Sequence, residues 1–227
     1  DEARMDQFLA ASDAVIHLAG ATRGAEAEVY EINVALGRAL VGGLERAGRP
    51  LPVVYASTLA IDERPESAYG KSKKEVGQML LAWGRTAEAP VAEVVIPNVF
   101  GEFAKPFHNT VIATFCSQII AEEESRVDSG VEIRLMHAQD VAGALISFLE
   151  RSSHGTFRLT QGDLVTVEEM YRLLREFHSS YTEAEVPSVD SLFERRLFNT
   201  FRTYLPVGWY PRMLDVKSDT RGDLFEM

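Results

Sequence analysis

A tyrosine and a lysine four residues apart carry the clearest chemistry in this sequence. Tyr69 and Lys73 open a segment with helical apolar periodicity, predicted as a helix over about 69–85, so they lie on one face, one turn apart. A phenol has an ordinary pKa near ~10, and a neighbouring ammonium lowers it until the hydroxyl exchanges a proton at neutral pH. The pair therefore predicts acid–base chemistry, and Lys73 could also hold a ribose hydroxyl.

Two hydroxyl side chains precede this pair at the end of a predicted strand. Ser57 and Thr58 end the strand predicted from the apolar run at 52–57. Because open parallel sheets bind ligands at the carboxyl ends of their strands, a hydroxyl there could hydrogen-bond a substrate carbonyl oxygen. Ser57, Thr58, Tyr69 and Lys73 are thus the candidate catalytic residues. The alternative is that Tyr69 merely begins a helix beside a solvated lysine.

The elements that must position these residues alternate in the first half of the chain. Apolar runs predict strands at 14–18, 52–57 and 91–96, and helical periodicity predicts helices at about 28–47 and 69–85. Nearly continuous apolar strands separated by helices are typical of a parallel sheet covered on both faces. We therefore predict an α/β fold with a doubly wound, Rossmann-like parallel sheet.

The second half of the chain is less regular and is expected to form a small substrate-binding lobe. Strands are predicted at 132–136 and 156–159, and helices at about 109–122, 140–150, 166–178 and 189–204. The expected division is a dinucleotide-binding part at 1–108, a lobe at 109–208 from which some elements return to the core, and a linker at 209–227. No Gly-rich phosphate loop is found, so we expect one strand–helix–strand unit to precede residue 1.

Composition argues against several classes of protein. The net charge of −11 is spread along the chain, whereas nucleic-acid binding needs a surplus of Lys and Arg on one face. The single cysteine, Cys116, permits no intramolecular disulfide, and no stretch approaches the ~20 apolar residues of a membrane span. The five histidines lack metal-site spacing. We expect a cytoplasmic protein without a metal, a membrane or a nucleic-acid partner.

Several motifs resemble those of the short-chain dehydrogenase/reductase superfamily, in its extended, sugar-nucleotide branch. The resemblance begins with Tyr69-x-x-x-Lys73 after Ser57-Thr58. The other matching segments are His17-Leu-Ala-Gly20, Asn33-Val-Ala-Leu-Gly37, Pro97-Asn-Val-Phe-Gly101, and Arg134 with Asp140-Val141. It implies that Leu18, Ala19, Gly20, Pro97 and Asn98 contact the cofactor, beside Tyr69 and Lys73. It also implies that Asn98, Asn109 and Arg134 contact the substrate, with Arg134 at a nucleotide phosphate.

Three further stretches resemble the bifunctional capsular-polysaccharide reductase–epimerase family. They lie at 97–115, at 192–206 and, with an Asp-x-Arg-Gly-x-x-x-Glu pattern, at 219–226. In that family a reductase domain precedes a zinc-binding cupin domain that opens with this pattern, so we expect the chain to stop where a second domain starts. The family reduces C4 of UDP-linked 4-keto-6-deoxy amino-hexoses with NADPH. A departure is Val95, where the family often has arginine.

The resemblance implies a reaction and a cofactor. The expected activity is NADP-dependent reduction, with NAD as the other cofactor, in which Tyr69 donates the proton, Thr58 rather than Ser57 holds the oxygen, and Lys73 lowers the pKa of Tyr69. A homodimer through the helices at 28–47 and 69–85 is expected. Two alternatives stay open. One is an NAD-dependent nucleotide-sugar epimerase, and the other is a non-catalytic dinucleotide-fold module. A dehydratase is disfavoured because Leu59-Ala60 replace the Asp-Glu pair expected there.

Overall fold

The computed structural model of the chain describes residues 2–183, 185–209 and 216–224. The helices in this part are α1 (Glu2–Ala11), α2 (Glu26–Ala47), α3 (Ala60–Glu63), α4 (Ala68–Thr86), α5 (Val111–Ile120), α6 (Ala138–Glu150), α7 (Val167–Thr182), α8 (Leu192–Arg202) and a 3₁₀ turn (Val207–Trp209). The strands are β1 (Val15–His17), β2 (Val53–Thr58), β3 (Val91–Ile96), β4 (Asn98–Phe100), β5 (Glu132–His137), β6 (Gly155–Arg158), β7 (Asp163–Thr166), β8 (Lys217–Asp219) and β9 (Gly222–Leu224).

The main sheet has the strand order β1-β2-β3-β6 in the described residues, and all of its pairings are parallel. Every residue of β3 is buried, as is most of β2, which explains why both segments are nearly continuous apolar runs. One face packs against α2 and α4 around Leu44, Leu80 and Trp83. The other face packs against α6 around Val141 and Leu145. The predicted parallel sheet covered on both faces is confirmed.

A second core lies beside this sheet. The strands β4, β5 and β7 form a small mixed sheet, in which β4 pairs in parallel with β5 and β5 pairs antiparallel with β7. The helices α5, α7 and α8 pack together around Ile112, Leu174 and Phe201. Aromatic contacts such as the edge-to-face pair of Phe177 and Phe198 fill the space between α7 and α8. We call this unit the lobe.

Helix starts follow local sequence rules. Among the described helices, α4, α5, α7 and α8 each begin with a hydroxyl residue whose side chain accepts a hydrogen bond from a backbone N–H of the first turn. Ser67 does this for α4, where its Oγ lies 3.0 Å from the Gly70 nitrogen. Because Ser67 fixes the start of α4, it also fixes the position of Tyr69 in the first turn.

The structure differs from the sequence predictions at several element boundaries. The strand β3 ends at Ile96 as expected, but the chain does not turn at Asn98: it enters β4, because Pro97 has no N–H to continue the main-sheet ladder. The helix α1, the short helix α3 and the strand β7 were not predicted. The helix α7 continues four residues past its expected end at 178. The Glu226 of the C-terminal motif lies outside the described residues.

In the parts of the chain that the structure describes, none of the helices combines the length and apolar character needed to cross a membrane.

Candidate active site

The sheet and α4 bring Thr58 and Tyr69 together. Thr58 is the last residue of β2, Tyr69 is the second residue of α4, and the short helix α3 makes the connection. The Thr58 side chain acts on the Tyr69 hydroxyl as a hydrogen-bond partner that lowers its pKa, so the two hydroxyls lie close together. The Thr58 Oγ1 also accepts a hydrogen bond from the Ala60 N–H at 3.3 Å, which holds its side chain in place. A pair of hydroxyls at a strand end can orient a carbonyl oxygen and supply a proton to it.

Lys73 lies one turn further along α4 and is buried, with 5% of its surface exposed. Its Nζ donates a hydrogen bond to the Ala56 carbonyl at 2.6 Å and lies 4.4 Å from the centre of the Tyr55 ring. Burial lowers the pKa of Lys73 to about 8, and the nearby Glu93 acts in the opposite direction. The ammonium has three protons and the carbonyl takes one, so donors remain for a ligand.

The electrostatic environment of Tyr69 differs from the expected one. Burial raises the pKa of Tyr69 above its ordinary value, while the hydrogen bond from Thr58 and the charge of Arg64 lower it. Arg64, at the end of α3, is therefore a cation beside Tyr69 that sequence reasoning missed. The effect of Lys73 on the pKa of Tyr69 stays a prediction, since the Lys73 ammonium contacts the strand β2 in this structure.

The side chains of Ser57 and Thr58 lie on opposite faces of β2. Successive side chains of a strand point to opposite faces, and Ser57 lies on the buried face that packs against α4. Its Oγ donates a hydrogen bond to the Glu93 Oε1 at 3.0 Å. The hydroxyl that meets Tyr69 is that of Thr58.

A row of polar side chains crosses the main sheet at one register. His17 on β1 pairs with Tyr55 on β2, Tyr55 pairs with Glu93 on β3, and Glu93 pairs with Thr156 on β6. The rings of His17 and Tyr55 stack at 5.3 Å. We call these residues the polar row, and Lys73 lies against it from α4. Sequence reasoning missed Glu93, although a charged residue within the apolar run 91–96 was a usable signal.

The turn after β1 has the exposure expected of a ligand-binding loop. Leu18, Ala19 and Gly20 are all exposed, Leu18 by 64%. The buried Asn33 of α2 anchors this turn, because its side chain accepts from the Ala21 N–H at 2.6 Å and donates to the Ala21 carbonyl at 2.9 Å. The same amide donates to the Ser72 Oγ at 3.0 Å, which ties the turn to α4.

Asn98 and Asn109 line one cleft at the edge of the lobe. The cleft has a volume of 280 Å³, and its other walls come from β4, β5 and the first turn of α5. The Asn98 side chain donates to the backbone carbonyl of Arg134 at 3.4 Å. The Arg134 guanidinium itself is bound to the Thr160 and Gly162 carbonyls at 3.2 and 3.3 Å. The structure thus joins Asn98 and Asn109 at the cleft, while Arg134 supports β4 and the segment before β7. Pro97, the remaining expected cofactor contact, is buried between β3 and β4.

Asn109 also connects the lobe to the turn after β1. Its side chain accepts a hydrogen bond from the Arg23 Nε at 3.1 Å and donates one to the Thr22 carbonyl at 3.2 Å. Asn109 has a positive φ of 56°, and Phe103 and Phe107 in the same loop have positive φ values of 63° and 58°. Such backbone conformations are uncommon for residues other than glycine. Arg23 is a second residue that sequence reasoning missed, because its partner is distant in the chain.

The position that departs from the family, Val95, has an arginine beside it. Val95 pairs in register with Arg158 on β6. The Arg158 guanidinium forms two hydrogen bonds with the Asp62 carboxylate of α3, at 2.9 and 3.0 Å. Arg158 on β6 therefore anchors α3, the short helix that follows Thr58.

The residues present fit the nicotinamide ribose half of a dinucleotide. Lys73 has ammonium protons left for a hydroxyl, and Leu18 presents an exposed apolar side chain after β1. The described residues include no Gly-rich phosphate loop between a strand and a helix. Tyr69, Lys73 and the turn at 18–20 are the residues that could hold the nicotinamide ribose of such a cofactor.

Comparison with known proteins identifies the family. The NAD dependent epimerase/dehydratase family matches residues 1–159. The chain belongs to this family. The membership confirms the resemblance to extended short-chain dehydrogenases/reductases.

Relatives within and around the family include sugar-nucleotide enzymes. The chain is 29% identical over 227 residues to a UDP-2-acetamido-2,6-beta-L-arabino-hexul-4-ose reductase of Pseudomonas aeruginosa, with 98% of this chain and 60% of that protein covered. The crystal structure of the capsular polysaccharide assembling protein CapF from Staphylococcus aureus is similar at a TM-score of 0.80 and 27% identity, over 99% of this chain and 62% of that one. The chain thus spans about three fifths of the length of these relatives.

A third structure shares the fold alone. The UDP-glucose 4-epimerase of Thermotoga maritima, solved with UDP-glucose, has a TM-score of 0.74 at 19% identity, over 90% of this chain and 81% of that one.

Proposed function

We propose that this chain catalyses the NADPH-dependent reduction of the C4 ketone of a UDP-linked 4-keto-6-deoxy amino-hexose, in the synthesis of a surface-polysaccharide precursor. The observation that carries the proposal is that Thr58 at the end of β2 lies beside Tyr69 in the first turn of α4, with the buried Lys73 ammonium one turn further along that helix. The similarity to a UDP-sugar 4-keto reductase and to CapF supports the substrate class.

The proposed chemistry divides between the cofactor and the side chains. A nicotinamide dinucleotide, when bound, supplies the hydride for the C4 carbonyl carbon. Tyr69 donates its phenolic proton to the carbonyl oxygen. The ketone thus gains one hydride at carbon and one proton at oxygen and becomes an alcohol. Thr58 holds that oxygen through its hydroxyl and orients Tyr69. Lys73 holds a ribose hydroxyl and stabilises the phenolate that remains after proton transfer.

We propose that the cleft beside the lobe takes the sugar nucleotide. Asn98 and Asn109 offer amide groups at its wall, and its remaining lining is largely apolar. Small-molecule sites generally combine such an apolar lining with a few polar groups that fix orientation. Arg134 lies behind this wall with its guanidinium on two carbonyls, so a phosphate contact requires that it exchange those partners.

We further propose a homodimer through α2 and α4. These helices border an open groove of 740 Å³ whose wall includes Val41, Met79 and Trp83. An apolar surface of this kind on two adjacent helices suits isologous pairing with a second copy of the chain. Sedimentation equilibrium of wild type and Met79→Glu is the test, and a monomeric wild type would overturn this part of the proposal.

The decisive experiment measures NADPH oxidation at 340 nm by the full-length protein with a UDP-4-keto-6-deoxy amino-sugar. Tyr69→Phe should lower turnover at least about 100-fold, because general acid catalysis contributes that much or more. Tyr171→Phe is the matched control, since it removes a phenolic hydroxyl in α7 against Phe115 and should keep wild-type turnover. Equal rates in wild type and Tyr69→Phe would contradict the assignment of the proton donor.

The same assay separates the two alternatives. Inversion at a sugar carbon without net oxidation of the cofactor, and with NAD retained through purification, would favour a nucleotide-sugar epimerase. Binding of nucleotide without turnover would favour a non-catalytic module. Parallel assays with NADH decide between NADP and NAD.

A further inference from the structure

Two charged side chains are buried at the same place in the fold. In the described residues, Lys73 and Glu93 are the only Lys, Arg, Asp or Glu side chains that are buried, with 5% and 6% of their surface exposed. Burial of an isolated charge is costly, so buried charges are generally paired or neutralised. Glu93 is also the one non-apolar residue of β3. The sequence therefore places a carboxylate where the packing of the sheet alone would favour an apolar residue.

A glycine in α4 makes the room for this carboxylate. Gly77 lies one turn after Lys73 and on the same face of the helix. A Cβ added at Gly77 would lie 2.6 Å from the Glu93 Cδ, which is closer than real side chains approach. The Glu93 carboxylate thus rests against the α4 backbone, directly beside the turn that carries Lys73.

Two hydroxyl groups fix the carboxylate in this position. The Ser57 Oγ donates to Oε1 at 3.0 Å, and the Thr156 Oγ1 donates to Oε2 at 2.8 Å. Each carboxylate oxygen therefore has one donor, from the strand on either side of β3. The Tyr55 ring, which lies beside Glu93 in the polar row, has the Lys73 Nζ over its face. The carboxylate and the ammonium thus both lie next to the Tyr55 side chain, on the face of the sheet that packs against α4.

We infer that Glu93 is a positioning residue for the reaction proposed above, whose buried carboxylate is the counter-charge that keeps Lys73 an ammonium ion, directed at the Ala56 carbonyl and the Tyr55 ring. This inference rests on the proposed function for its catalytic meaning. A neutral Lys73 would lose its cation–π contact and could not stabilise the Tyr69 phenolate.

The other titratable groups around Lys73 do not supply this counter-charge. His17 on β1 is neutral at pH 7, because burial and the charge of Lys73 lower its pKa to about 4. Tyr55 on β2 is neutral, because burial raises the pKa of its hydroxyl further above the ordinary value. Burial likewise raises the pKa of Tyr69 on α4.

The remaining charged group near Glu93 lies on β6. Arg158 is exposed and its guanidinium is bound to the Asp62 carboxylate. Asp62 is in turn exposed on α3 and outside the polar row. Glu93 is therefore the buried anion that faces Lys73 among the described residues.

The test titrates Lys73 directly, without relying on turnover. Lysine labelled with ¹³C at Cε marks the five lysines of the chain, and Lys73→Arg identifies the Lys73 signal by its loss. Glu93→Gln keeps the size of the side chain and removes its charge. We expect the midpoint of the Lys73 titration to fall by about one pH unit in this variant, because the charge of Glu93 raises the pKa of Lys73 and the substitution removes that charge.

Thr156→Val is the matched control, because it removes one hydrogen bond to Glu93 and leaves the carboxylate in place. The Lys73 midpoint should stay near its wild-type value in this variant. Equal midpoints in wild type and Glu93→Gln would overturn the inference, and so would an equal fall in Glu93→Gln and Thr156→Val. If Glu93→Gln does not fold, Glu93→Met is titrated instead and read by the same criteria.

Kinetics provide the second readout. The alkaline limb of the pH profile for NADPH oxidation should move to lower pH in Glu93→Gln, in step with the Lys73 midpoint. A wild-type protein with no NADPH oxidation would overturn the proposed function, whereas the lysine titration would still decide whether Glu93 holds the charge of Lys73.

Discussion

The polar row and the contact of Asn109 with Thr22 and Arg23, here called the junction, place functional groups in opposite ways. In the polar row, His17, Tyr55 and Glu93 are buried at matched positions of adjacent strands, and Lys73 is bound to the strand backbone. At the junction, Asn109 is exposed and sits on a loop with uncommon backbone angles. The first arrangement fixes groups whose protonation matters and costs desolvation energy, and the second leaves a contact free to adapt.

This contrast suggests a division of tasks. Side chains packed between the sheet and α4 are held in one geometry, as groups that support a reaction must be. A loop between two units changes more readily, and so it is the region where substrate choice is expected to vary. The contrast leads to three predictions. Changes in or against the polar row should alter the free energy of unfolding, and a change at the junction should alter substrate binding.

The largest effect is expected from the pH dependence of stability at His17. Its pKa is about 4 in the folded chain and about 6.5 when unfolded, so the unfolded chain binds more protons between these values and stability falls as the pH falls through this window. Lowering the pH from 7 to 5 should cost about 2 kcal/mol through His17. Urea unfolding of wild type and His17→Phe checks this, and the variant should lose about 2 kcal/mol less.

An effect of similar size is expected from Gly77→Ala. The added methyl would overlap the Glu93 carboxylate, and overpacking of this kind destabilises by about 1–3 kcal/mol. Gly143→Ala on α6 is the matched control, because nothing lies within 4 Å of a Cβ there and alanine favours a helix by up to about 1 kcal/mol. Thermal unfolding of both variants measures the difference. A Gly77→Ala variant as stable as wild type would show that the contact between α4 and Glu93 is loose.

The smallest effect on stability is expected at the junction. Asn109→Gly keeps the positive φ and removes both hydrogen bonds to the turn after β1. We expect KM for the sugar nucleotide to rise several-fold with kcat nearly unchanged, and the free energy of unfolding to change by less than about 1 kcal/mol. Glu88→Gly, which also sits at a positive φ but before β3, should leave both kinetic constants as in wild type. A fall in kcat without a change in KM would place Asn109 in the chemical step instead.

The sequence predicted the elements better than it predicted their cross-connections. The strands of the main sheet and the helices α2 and α4 were accessible because each depends on local periodicity. The placement of Tyr69 and Lys73 one turn apart depends only on spacing within one helix. The strand β4 was missed because Pro97 ends one ladder while the chain immediately joins another, and a proline that stops one strand carries no signal for the next.

The residues that sequence reasoning missed depend on distant partners. The environment of Glu93 is set by the register of three strands, and no pattern within β3 gives that register. Arg23 and Asn109 are 86 positions apart and meet only because the lobe folds back over the turn after β1. Arg158 on β6 lies beside Val95. Comparing the residue at position 95 alone with the residue typical of the family could not reveal this arginine, because it comes from another strand.

The carboxylate in β3 also has a consequence for how the sheet assembles. Successive side chains alternate between faces, so a slip of β3 by one residue would turn Glu93 toward the apolar core against α6, around Val141 and Leu145. There the carboxylate would lose both hydroxyl donors, and an unpaired buried charge costs several kcal/mol. A strand of valine, alanine and isoleucine alone would tolerate such a slip far better. Glu93 therefore specifies the register in which the parallel sheet pairs.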